Sequence, residues 1–135
     1  MAKDVLVTES LSDSMIKAGA KLIERLDDRQ SEVKSALWFY LSEERTWKLI
    51  IASPLVDREG PRQFYKRILD ANSKAPAEEE TVSLNDIGVT SLDNQIVKLI
   101  GMMIGTGDGI SGVRFSRNTI NGIFIEDAYI YRSNS

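Results

Sequence analysis

Two adjacent carboxylates, Glu126 and Asp127, form the most chemically suggestive polar group of the sequence. A carboxylate pair that shares one pocket can supply the acid and the base for hydrolysis of a glycoside or an ester. The side chains that would assist the pair are Arg114, Tyr129 and Arg132. Adjacent residues of a regular strand point to opposite faces of a sheet. The two carboxylates therefore line one pocket only if the strand is irregular at this point.

A purely structural interpretation of the same residues rests on the dipeptide Asn121-Gly122, which lies between alternating apolar residues. This pattern is typical of a tight hairpin turn, and it places residues 113–120 opposite residues 123–130. Three pairs then face each other across the strands: Arg117 with Glu126 as an ion pair, Ser116 with Asp127 as a polar pair, and Arg114 with Tyr129 as a cation–π pair. A turn at Arg117-Asn118 is the competing register.

The chain has no histidine and no cysteine. Their absence excludes Ser-His-Asp and Cys-His catalysis, zinc sites built on Cys and His, and disulfides. The glycine-rich segment 105–112 follows a predicted helix, whereas phosphate-binding loops precede one, and its Asp108 would repel a phosphate. One aspartate is also a poor ligand set for Ca²⁺ or Mg²⁺. We therefore expect no cofactor and no metal.

A basic group on the predicted second helix and just upstream of it is the candidate ligand-binding surface. Its members are Arg58, Arg62, Lys66 and Arg67. Such a face can bind a phosphate or an acidic partner, or it can be a solvated face balanced by Glu59 and Asp70. The net charge of −3 argues against a nucleic-acid partner, because phosphate neutralisation needs a basic surface.

Hydrophobic periodicity predicts the elements that must position these groups. A first helix runs from about residue 12 to 28 with Ser12 as its N-cap, followed by strands over 36–41 and 47–52. The chain then turns through residues 57–60 before a second helix that begins at Pro61. A short strand covers 81–84, a third helix ends near residue 104, and the final hairpin follows. The order α-β-β-α-β-α-β-β predicts an α+β fold: a mixed, mostly antiparallel sheet of about five strands with three helices.

A length of 135 residues and a hydrophobic content of 42% suit a single domain over residues 1–135. Within it we expect a loose N-terminal tail over residues 1–9 and a mobile linker over 73–80. The sequence shows neither a secretory signal nor a membrane span, so we expect a cytoplasmic location with no membrane partner.

Several segments resemble a small family of bacterial proteins without an assigned activity. They are residues 49–56, Gly60-Pro61 with Tyr65, and the ending from residues 112–115 to residues 127–132. The resemblance implies a bacterial origin and assigns no catalytic residue.

These observations predict a non-catalytic binding or protein-interaction domain that acts with a protein partner or associates with itself. The third helix is apolar nearly all round, which suits either the core or an oligomer contact. One alternative is a histidine-free hydrolase or transferase that uses the carboxylate, Tyr and Arg groups of the C-terminal hairpin. A further alternative is nucleotide or nucleic-acid binding through the basic second helix.

Overall fold

One five-stranded mixed sheet, in the order β3-β2-β1-β5-β4, organises residues 10–134, which the computed structural model of the chain describes. The predicted tail over residues 1–9 lies outside the described residues. The strands are β1 (Ser35–Leu41), β2 (Thr46–Ala52), β3 (Ile87–Thr90), β4 (Val113–Ile120) and β5 (Ile123–Ser133). The helices are α1 (Asp13–Asp28), α2 (Pro54–Glu59), α3 (Pro61–Ser73) and α4 (Gln95–Met103). Strands β2 and β3 are parallel and the other neighbours are antiparallel, so the predicted α+β fold is confirmed.

Two local predictions are wrong. Residues 81–84 are not a strand, because Ser83 caps a 3₁₀ turn over Leu84–Asp86 and the Asn72 side chain binds the Val82 carbonyl at 3.2 Å. The third strand is instead Ile87–Thr90, beside β2. The segment before Pro61, predicted as a turn, is the short helix α2, whose Leu55 N–H donates to the Ser53 side chain as its N-cap. The predicted mobility of residues 73–80 stays a prediction.

The two faces of the sheet are covered unequally. Helices α1 and α3 pack on the front face over the buried side chains of Trp38, Leu49 and Tyr131. Helix α4 covers the rear face, where Leu37 and Ile130 are buried. Helix α4 has nine residues, whereas α1 has 16 and α3 has 13. Part of the rear face therefore stays exposed.

A β-bulge in β5 brings Tyr131 and Arg132 into contact with α1. Ala36 of β1 pairs with Arg132, while its neighbour Leu37 pairs with Ile130, so Tyr131 is the extra residue. The bulge interrupts the alternation of the strand and turns both Tyr131 and Arg132 toward the front face.

The Tyr131 hydroxyl forms a buried hydrogen-bond chain with the helix. It accepts a hydrogen bond from the Trp38 indole at 2.9 Å and donates one to the Ile16 carbonyl of α1 at 2.6 Å. A Cβ atom at Gly19 would collide with this hydroxyl and lie 2.9 Å from the Tyr131 Cζ. Glycine is therefore needed here for close approach of the helix to the sheet.

We expect Gly19→Ala to destabilise the fold, although alanine favours a helix by about 1 kcal/mol over glycine. The added methyl group overpacks the site against Tyr131, at a cost of about 1–3 kcal/mol. Urea unfolding of G19A, Y131F and the double variant measures the coupling of the two positions. Removal of the hydroxyl should reduce the penalty of G19A, and a G19A protein more stable than the wild type would contradict the close contact.

Candidate functional site

A cavity of about 590 Å³ opens at the end of the front face, beside the hairpin of β4 and β5. We call it the hairpin cavity. Its aromatic wall is Tyr40 and Trp47, whose rings lie 5.3 Å apart. Its polar lining comes from Arg114, Ser116, Arg117, Glu126 and Asp127. The cavity therefore contains both members of the predicted carboxylate pair, Glu126 and Asp127.

Both carboxylates reach the cavity because the alternation of β4 and β5 breaks at the same level. Ile125 and Ala128 are three residues apart on β5, yet both pack in the rear core. Phe115 and Ile120 are five apart on β4 and also share that core. In a regular strand, residues an odd number apart point to opposite faces. The irregularity that a shared pocket requires is therefore present.

The centre of this break is Arg117, whose φ of 49° lies in the left-handed region that most non-glycine residues avoid. The register of the hairpin is the same on both sides of it: Ser116 pairs with Asp127 and Asn118 with Ile125. The predicted register around Asn121-Gly122 is therefore confirmed. The competing turn at Arg117-Asn118 is not formed.

Asp127 is held by three hydrogen bonds. Arg114 donates two of them, from Nε and Nη2, each at 2.7 Å, and the Ser116 hydroxyl donates the third at 2.7 Å. The Arg114 guanidinium carbon also lies 5.7 Å from the ring centroid of Trp47. The predicted cation–π pair of Arg114 with Tyr129 is therefore wrong, because the Arg114 cation lies over the ring of Trp47 in β2.

These bonds decide the protonation of Asp127. Burial is the largest single influence and raises the pKa of the carboxyl. The hydrogen bonds from Arg114 and Ser116, the charge of Arg114 and a backbone hydrogen bond together outweigh it. The pKa of Asp127 therefore lies below its ordinary value, and the pKa of Arg114 is raised by its hydrogen bond to the carboxylate. A carboxyl that stays ionised at neutral pH is a poor general acid.

Glu126 and Arg117 do not form the predicted ion pair. The Glu126 carboxylate instead accepts a hydrogen bond from the Ser42 hydroxyl at 2.8 Å. Within residues 10–134, the Arg117 side chain has no hydrogen bond or ion pair. The left-handed backbone at Arg117 accounts for the difference, because the predicted pair assumes a regular strand. One positive and one negative side chain thus border the cavity without neutralising each other.

The other two candidate catalytic residues lie elsewhere. The Tyr129 ring packs on Tyr131 with centroids 5.3 Å apart, and its hydroxyl occupies the space that a Cβ at Gly112 would need. Arg132 is only 4% exposed and donates to both carboxylate oxygens of Asp27, at 2.9 and 2.8 Å. It is a structural tie between β5 and the end of α1, so its proposed catalytic role is not supported.

Ser42 is the hydrogen-bond partner of Glu126 that sequence reasoning missed. It lies in the turn between β1 and β2, and 84 positions separate it from Glu126. Local sequence carries no signal for this contact, because the pairing of β1 with β5 brings the two residues together.

The basic group predicted to bind a ligand is partly neutralised. Arg58 pairs with Glu32 at 2.7 Å, and Arg67 binds Glu59 through two hydrogen bonds of 3.0 and 2.9 Å. The hydrogen bond from Arg67 lowers the pKa of Glu59.

The remaining two members of the basic group, Arg62 and Lys66, are exposed on α3 and have no ion pair within the described residues. The four residues also lie on two helices, with Arg58 on α2 and the other three on α3. This arrangement gives little support to phosphate binding.

The glycine-rich segment is tied to the end of β5. Thr106 exchanges hydrogen bonds with the Ser133 backbone at 3.1 and 2.9 Å, and Asp108 binds the Asn134 side chain. Across residues 10–134 there is no cluster of three or more acidic side chains that could hold a metal ion. No helix in the same range is long and apolar enough to cross a membrane.

We expect stability to depend on pH through Asp127. A carboxyl with a lowered pKa stabilises the fold above its unfolded value of about 3.9, and this stabilisation is lost as the pH falls through the folded pKa. Since the Arg114 side chain is 48% exposed and solvent screens the pair, Asp127→Asn should cost about 1 kcal/mol at pH 7. Urea unfolding should show that this difference shrinks as the pH falls below about 4.

Arg114→Gln gives a matched test of the cause. It leaves the Asp127 carboxylate partly buried without its cation, so at pH 7 it should destabilise the fold more than Asp127→Asn does. Equal stability of wild type and both variants at pH 7 would contradict this interpretation of the pair.

Comparisons of the chain with models of protein families, with curated proteins and with solved structures find no match.

Proposed function

We propose that this chain is a non-catalytic binding domain that acts with a protein partner or with a second copy of itself. The hairpin cavity is the binding site for the partner. One observation carries the proposal: Arg114 and Ser116 already occupy the Asp127 carboxylate through three hydrogen bonds. Asp127, the best acid–base candidate of the cavity, is therefore held in place by its neighbours and serves a structural role.

The remaining charged groups suit recognition of a polypeptide. Arg117 offers a cation and Glu126 offers a carboxylate at the same cavity, which is about 590 Å³ in volume. That volume is within the range of about 300–1,000 Å³ found for binding pockets. A segment with an acidic and a basic side chain close together would pair with both groups. Recognition of this kind needs no cofactor, metal or nucleic acid.

Backbone strain supports the same assignment. A non-glycine residue in the left-handed region costs about 1 kcal/mol or more, and such residues cluster at functional sites. Arg117 carries this conformation at the point where the cavity receives both carboxylates. The backbone strain at Arg117 thus coincides with the charged surface of the hairpin cavity.

The alternative of a hydrolase or transferase is favoured by the placement of Glu126 and Asp127 in one cavity. It is weakened by the lowered pKa of Asp127 and by the absence of Tyr129 and Arg132 from the cavity wall within residues 10–134. Carboxylate pairs that act as acid and base have pKa values pushed apart, with the acid's value raised. Hydrolysis of aryl esters or aryl glycosides that is abolished by Glu126→Gln would favour the enzyme.

Selection of peptides from a random library displayed on phage tests the proposed function. Sequences bound by the wild-type chain should be enriched in an acidic and a basic residue within a few positions of each other. The double reversal Arg117→Glu with Glu126→Lys should weaken their binding at least about tenfold, because like charges then face each other.

Lys17→Glu, on the exposed face of α1, is the control for a change of charge away from the cavity. It should leave peptide binding unchanged. Enrichment without charged pairs, or equal binding by the double reversal and the wild type, would overturn the assignment of the hairpin cavity.

A further inference from the structure

An apolar groove with an acidic border lies at the end of the rear face, next to the hairpin cavity, with which it shares Tyr40 and Glu126. We call it the rear groove. Its floor is formed by Phe39 and Leu41 of β1, Ile96 of α4, and Ile123 and Phe124 of β5. The cavity volume is about 250 Å³. Phe124 is 58% exposed, which is unusual for a large aromatic side chain.

The border of the rear groove carries charges of one sign. Glu43 and Glu44 of the β1–β2 turn and Glu126 of β5 line it. None of the residues that line the groove is a lysine or an arginine. Three carboxylates around an apolar floor repel one another, and an occupant that carries positive charge beside an apolar side chain would relieve this repulsion.

Helix α3, which packs on the front face, presents the complementary pattern on its exposed side. Arg62 and Lys66 are four residues apart and Leu69 follows three later, so all three share one stripe of the helix. Leu69 is 52% exposed, and neither cation has an ion pair within the part of the chain that the structure describes. A like-charge pair at this spacing slightly destabilises an isolated helix. The stripe therefore gains from a carboxylate partner.

We propose that the rear groove binds the Arg62–Lys66–Leu69 stripe of a second copy of this chain. Leu69 would enter the apolar floor while Arg62 and Lys66 pair with the glutamates of the border. The inference rests on the proposed interaction role and names the partner for its self-association.

The geometry dictates the kind of assembly. The groove includes Phe39, Ile96 and Ile123 of the rear core, whereas α3 packs on the front face, so the stripe and the groove are two different surfaces of one copy. Contacts between two different surfaces of identical chains are head-to-tail, and they extend to rings or open chains rather than stopping at a symmetric dimer. Because the charges are exposed, association should weaken as salt is added.

Sedimentation velocity on the full chain tests the proposal. The wild type should form species larger than the 15.1 kDa monomer as concentration rises. The double variants E43K/E44K and R62E/K66E should each raise the apparent dissociation constant at least about tenfold, because like charges then meet at the contact. A mixture of the two variants should associate again, since the acidic stripe of one fits the basic groove of the other.

Two controls separate the possible failures. K17E/K21E reverses two exposed lysines at the same spacing on α1 and should associate as the wild type does. Arg117→Glu alters the hairpin cavity and should also leave association intact. Loss of association in this variant would place the contact at the hairpin cavity and overturn its assignment to the rear groove. A wild type that stays monomeric up to about 1 mM, or variants that fail to complement, would overturn the inference and leave peptide binding in the hairpin cavity standing.

Discussion

The bulge at Tyr131 is the constraint on which the arrangement of the front layer depends. It turns two successive side chains of β5 toward α1, where a regular strand would present only one. Tyr131 holds the Ile16 carbonyl near the start of the helix, and Arg132 holds Asp27 at its end. Helix α1 is thus fixed at two points about three turns apart, which determines its direction across the sheet.

The hydrogen bonds of Tyr131 and Arg132 satisfy buried polar groups and add no charge to the surface. Arg132 also donates to the Val33 and Gly109 carbonyls at 3.0 and 3.1 Å, so its guanidinium joins α1, the chain before β1 and the glycine-rich segment. Burial raises the pKa of the Tyr131 hydroxyl, which stays neutral and serves as both donor and acceptor. A buried polar group costs little only when its partners are in place. The bulge supplies them.

A second irregularity in β5 has a different result. At Glu126 and Asp127 the break in alternation brings two carboxylates to one cavity, yet each finds a different partner: Ser42 for the first and Arg114 for the second. The same strand therefore closes the core at one end and builds a polar surface at the other. The short α4 leaves the rear face partly uncovered, and the two candidate surfaces adjoin at Tyr40 and Glu126.

Sequence by itself determined the elements whose signals are local. Ser12 caps α1, Asn121-Gly122 folds the last hairpin, and the register of that hairpin places Ser116 opposite Asp127. It misplaced β3, because residues 81–84 and 87–90 are both short and rich in β-branched side chains, and only pairing with β2 distinguishes them. Tertiary structure alone decided which groups meet. Arg132 is buried and binds Asp27, Arg117 does not form its predicted ion pair, and Ser42 donates a hydrogen bond to Glu126. These outcomes depend on irregular backbone and on contacts between distant strands, neither of which periodicity encodes.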